Sequence, residues 1–129
     1  MEKTTQLSVT MENIPGQLGR LCRILAQANV NIRGITVADS TDVSTIRLCV
    51  SNPAAAKKAL REVGVQFSTQ EVLVVEMEDK PGALERVAAR LGEAGVNVQY
   101  VYGTGDGPGS KARMVMRVSD VDQARQALA

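Results

Sequence analysis

Histidine and tryptophan are absent from this 129-residue sequence, and its aromatic side chains are limited to Phe67, Tyr100 and Tyr102. Without histidine, the commonest metal ligand and the ordinary general base near neutral pH are both missing. Cysteine occurs only at positions 22 and 49, a spacing that fits no metal motif, and both thiols are expected to be reduced and buried. Neither sign of charge dominates: 15 Lys and Arg stand against 14 Asp and Glu, with no more than two like charges in a row. No long-range field therefore favours nucleic acid or an anionic membrane. The longest aliphatic run, Val72 to Val75, is far short of the ~20 residues a membrane span needs. The opening MEKTTQ lacks the apolar core of a signal peptide. A soluble, cytoplasmic protein is expected, with no cofactor, no metal and no catalytic centre, because no nucleophile has a recognisable base beside it.

What the sequence does contain is a duplication. NIPGQLGRL at Asn13 to Leu21 returns as DKPGALERV at Asp79 to Val87, 66 positions on. At that offset Leu7, Val9 and Met11 fall on Leu73, Val75 and Met77, alternating as a half-buried strand does. Leu18, Leu21, Cys22, Leu25 and Ala28 fall on Leu84, Val87, Ala88, Leu91 and Ala94, a spacing that lines one helical face. The exits match as well, Ala28 to Ile32 against Ala94 to Val98, and each leads into a second strand. The offset then grows to 68, since Ile46, Leu48 and Val50 correspond to Met114, Met116 and Val118 in a third strand. A two-residue insertion thus lies in the preceding loop of the second copy. Ala56, Ala59 and Leu60, with Ala124, Ala127 and Leu128, mark a second helix in each copy.

In the first copy VQFSTQEV supplies a fourth strand that runs almost directly into the next repeat, whereas the second copy stops at Ala129. Its last strand is either missing or replaced from elsewhere. The expected class is α+β: two ferredoxin-like βαββαβ repeats, residues 1–71 and 72–129, each an antiparallel sheet with helices on one face. A unit of ~65 residues buries only about 60% of its unfolded surface, so mutual packing of the two is expected. Two activities known on this plan are excluded by what is missing. Strands without aromatics cannot stack RNA bases, and the first loop has no CxxC to carry a metal. GTGDGPGS, Gly103 to Ser110, imitates a phosphate loop, but a strand rather than a helix follows it, so it is expected to be a hairpin loop.

NIPGQL, DKPGAL and the exits VNI and VNV resemble the ACT domain family along nearly the whole chain. The resemblance implies a tandem pair of the stand-alone regulatory type, with a free amino acid held at the interface between repeats. By the same resemblance Asn13, Asn31 and Asn97 face the ligand; Asp79 departs from the family pattern, which weakens the second site. The residue chemistry agrees. Gly16 and Gly82 permit close approach to main chain at a helix N-terminus, which favours a carboxylate. Asn13 offers both a donor and an acceptor, while Asp79 only accepts and would prefer an ammonium. The candidate site is completed by the neighbouring Ile14, Gln17, Leu18, Lys80, Ala83 and Leu84, and by Tyr102 as a flanking side chain. The expected partners are the amino acid, a second copy of the chain and a metabolic enzyme. The competing reading is an assembly module that holds no ligand.

Overall fold

The computed structural model describes all 129 residues. Ten elements follow one another: β1 (Glu2–Glu12), α1 (Gln17–Gln27), β2 (Ile32–Asp39), β3 (Val43–Val50), α2 (Pro53–Glu62), β4 (Phe67–Glu78), α3 (Ala83–Glu93), β5 (Val98–Gly105), β6 (Lys111–Val118) and α4 (Val121–Leu128). Contacts divide them into two compact units, Thr5–Gln70 and Met1–Thr4 with Glu71–Ala129.

In the Thr5–Gln70 unit β3 lies between β2 and β1, antiparallel to both. The register sets Leu7 opposite Leu48 and Val9 opposite Ile46. Alternation therefore sends these four side chains to one face of the sheet. There they are sealed by Leu21 and Leu25 of α1 and by Ala56 and Leu60 of α2. Leu7, Leu48, Leu21, Leu25 and Leu60 are fully buried, each contributing about 1.5–3 kcal/mol by leaving water. The helical periodicity of α1 holds except at its start: Leu18 is 47% exposed, and Ile24 packs against the core instead. Leu18 belongs to the first turn of α1. Cys49 is buried and Cys22 half-buried, both as free thiols. Phe67–Gln70 of β4 completes this unit beside β1. There Gln6 Nε2 donates to Gln70 Oε1 (3.0 Å), and Ser8 Oγ donates to the same oxygen (2.7 Å).

The second unit repeats the plan, with β6 between β5 and β4. Leu73, Val75, Met77, Met116 and Val118 meet Leu91 of α3 and Ala124 of α4. Its fourth-strand place is not empty. Met1–Thr4, the start of β1, belongs to this unit, and Lys3 Nζ lies 3.9 Å from Glu71 and 3.8 Å from Asp122. β1 and β4 thus each contribute residues to both units. In both units the second strand shifts register just after the exit asparagine, between Ile32 and Gly34 and between Val98 and Tyr100. No helix is long and apolar enough to cross a membrane.

Candidate functional site

The four helices begin in two different ways. At α2 and α4 the side chains of Asn52 and Asp120 accept hydrogen bonds from Ala55 N (3.1 Å) and Gln123 N (3.0 Å). These are ordinary side-chain caps. At α1 and α3 the cap position is held by Gly16 (φ +92°) and Gly82 (φ +87°), and no side chain bonds the first-turn amides. A positive φ of this size is open to glycine without strain, so the repeated Pro-Gly is a backbone requirement. The outcome is a helix N-terminus with no side chain set on its partial positive charge.

The residue two places before each proline ties the hinge to the hairpin that follows. Asn13 N donates to Asp42 O (2.9 Å) and Asn13 Nδ2 to Ser40 O (3.0 Å). In the second copy Asp79 N donates to Ser110 O (3.0 Å), and Asp79 Oδ2 accepts from Gly107 N (2.5 Å). The direction of the side-chain bond is reversed because aspartate has no proton to give. The hairpin supplies the matching donor: Gly107 and Gly109 take positive φ within the inserted loop, and Ser110 Oγ bonds Gly107 O (2.6 Å). Gly103 and Gly105 of the phosphate-loop lookalike lie within β5.

A groove opens beside each hinge. The one along α1, of about 270 Å³, has Met11 and Val65 in its wall and Glu12, Gln17 and Arg20 around it. The one along α3, of about 320 Å³, repeats Met77, Glu78 and Arg86 at the matching positions and adds Lys80 and Arg90. Glu78 is bridged by Lys80 Nζ at 2.9 Å. That ammonium, by hydrogen bond and charge, with help from Lys111 and Arg86, holds the Glu78 carboxyl below its ordinary range.

The remaining expected residues are distributed less tightly. Ile14 and Leu84 are exposed. Gln17 and Ala83 line their grooves. Asn31 and Asn97 are exposed, and their backbones are clamped alike: the amide donates to Ser51 Oγ or Ser119 Oγ (2.9 Å each), and the carbonyl accepts from the same serine's amide (2.9 Å each). Tyr102 stands opposite Val115, on the sheet face away from Met116 and α3. The structure thus gathers Asp79, Lys80, Gly82 and Ala83 around one hinge and their first-copy counterparts around the other, with Tyr102 directed elsewhere. Ser51 and Ser119, which position the exits, and Ser40 and Gly107, which receive the hinge side chains, are not apparent from hydropathy alone. The recurrence of Ser51 and Ser119 at an offset of 68 is their one signal in the sequence.

D-3-phosphoglycerate dehydrogenase of Mycobacterium tuberculosis is 28% identical over 137 residues, covering 95% of this chain and 26% of the enzyme. The chain therefore spans about a quarter of that relative's length. Protein BT0572 from Bacteroides thetaiotaomicron superposes with a TM-score of 0.91 at 30% identity, over 98% of this chain and 86% of that one. The ligand-free regulatory subunit of aspartate kinase from Thermus thermophilus shares the fold, with a TM-score of 0.68 at 11% identity over 99% and 95% of the two chains. The model of the ACT domain pair matches residues 2–129. Because that match runs over nearly the whole chain, the chain belongs to the ACT domain family as an ACT domain pair.

Proposed function

We propose that this chain is a regulatory module without catalytic activity, which binds a free amino acid on a hinge groove and signals the bound state to a metabolic enzyme. One observation carries the reading: a helix N-terminus left uncapped by a left-handed glycine adjoins a groove edged by a carboxylate and a guanidinium. An amino acid at neutral pH is a zwitterion. Its carboxylate is favoured at the helix N-terminus and by Arg20, and its ammonium by Glu12 and the free acceptor of Asn13. Grooves of this volume lie at the lower end of small-molecule sites, which suits a small polar or aliphatic side chain. The dehydrogenase relative, several times longer than this chain, supports a metabolic enzyme as the partner.

A second copy of the chain would provide the surface that closes over the ligand. β2 lies at the edge of its sheet, where Ile35 and Val37 are 40% and 46% exposed. An open strand edge bearing apolar side chains is a pairing surface. The same observation favours the second reading, an assembly module that holds no ligand.

A thermal-shift panel of the twenty amino acids separates the two. A ligand at a hundredfold excess over its Kd adds about 2.7 kcal/mol, which is on the order of 10 °C for units of this size. Asn13→Ala is expected to abolish the shift while lowering the ligand-free Tm by no more than about a degree, since its bond to Ser40 is exposed. Flat curves for all twenty would leave the assembly reading standing. A drop of many degrees in unliganded Asn13→Ala would make Asn13 a structural tie only.

A further inference from the structure

We infer that the two hinges are not two copies of one site: the second is closed by its own chain, so that one amino acid binds per chain, on the Thr5–Gln70 repeat. The inference rests on the amino-acid-binding reading above and narrows it. Several groups that the first hinge leaves open are engaged at the second, although Arg86, like Arg20, makes no ion pair. Asp79, in the place of Asn13, accepts the Gly107 amide, and the backbone of Gly105 is laid directly on the same carboxylate. A Cβ at position 105 would fall 2.4 Å from Asp79 Cγ, so this strand end approaches as only glycine can. By contrast, the Asn13 side chain is exposed and bonds only Ser40 O, which leaves its amide oxygen and one side-chain N–H for a ligand.

The charges differ in the same direction. Glu12 and Arg20 make no ion pair, whereas their counterpart Glu78 is neutralised at 2.9 Å by Lys80, which stands where the first copy has Ile14. The first turn of α3 contains Glu85, and that of α1 has no acid. A carboxylate already resident on the positive end of a helix opposes the arrival of another. Finally, Ala83 N is drawn into a turn bond to Lys80 O at 3.2 Å, so one of the amides that would face an anion is used within the chain. The insertion in the β5–β6 hairpin supplies Gly107, so the Asn-to-Asp change and the lengthened loop act as a matched pair.

Isothermal titration of the intact chain with each of the twenty amino acids tests the inference. For those giving heat, the expected stoichiometry is one per chain, and Asn13→Ala is expected to remove all of it. Backbone amide hydrogen exchange in the same complex is expected to slow at residues 13–20 and to stay unchanged at 79–86. In Asp79→Ala the Gly107 amide is expected to exchange about tenfold faster, as the loss of a charge-assisted bond requires. Two ligands per chain, or Asn13→Ala keeping half of the heat, would overturn the inference and leave the proposed function intact. The absence of heat from all twenty would remove both.

Discussion

The contact between Gly105 and Asp79 makes a sharp prediction that needs no ligand. A methyl group at position 105 would sit 2.4–2.6 Å from all three atoms of the Asp79 carboxylate, well inside the ~3.4 Å at which ordinary contact begins. The aspartate can relieve the overlap only by rotating away, and rotation releases the Gly107 amide it accepts at 2.5 Å. The cost of Gly105→Ala is therefore mainly one charge-assisted hydrogen bond, about 1.5 kcal/mol at a half-buried site. Asp79→Ala removes the same bond and costs about the same. In the double variant the bond is already gone and the methyl has no carboxylate to meet, so the total should again be about 1.5 kcal/mol rather than twice that. The coupling of about 1.5 kcal/mol corresponds to roughly 6 °C in Tm for a unit of this size. Urea unfolding of the four proteins, fitted with a common slope, measures it. If the two losses add to within about 0.5 kcal/mol, Gly105 and Asp79 are independent and the closed hinge is wrong.

Other expectations follow from local geometry. Gly16→Ala should lower stability by about 1–2 kcal/mol although nothing lies within 4 Å of the added methyl, because the penalty is in φ alone; denaturant midpoints that stay unchanged would show that the hinge relaxes freely. Gly103→Ala should be far more damaging, since its Cβ would fall 2.1 Å from the Arg113 carbonyl oxygen, and far-ultraviolet circular dichroism with melting would show the β5–β6 pair lost. Asp120→Ala and Asn52→Ala should each cost about 1 kcal/mol through loss of a helix cap. Glu78 should titrate below its ordinary 4.5, and Lys80→Ala should move the midpoint back up by NMR. Because its folded pKa is the lower one, whatever stability it contributes is present above about pH 4.5 and disappears as pH falls through the folded value.

Much of the architecture was legible because it is periodic. Leu7, Val9 and Met11 alternate, and Leu21, Leu25 and Ala28 recur at helical spacing, so strand and helix were determined by which residues must leave water together. The duplication revealed the repeat, and the Pro-Gly pairs located both hinges, because a left-handed backbone leaves a mark in composition. Leu18 shows the limit of that reading: its spacing is that of a core residue, but in the first turn of α1 it stays 47% exposed.

What tertiary structure alone decided is where distant segments meet. That Met1–Thr4 fills the last-strand place of the second unit depends on pairing across some 70 residues, which no local pattern encodes. That Asp79 accepts from the Gly107 amide depends on how the 106–110 loop folds back, an arrangement invisible until the β5–β6 register sets the end of that hairpin against the hinge. Periodicity reports which face of an element is dry; only the folded chain shows which donor each acceptor has found, since hydrogen-bond partners are chosen in space and not along the sequence.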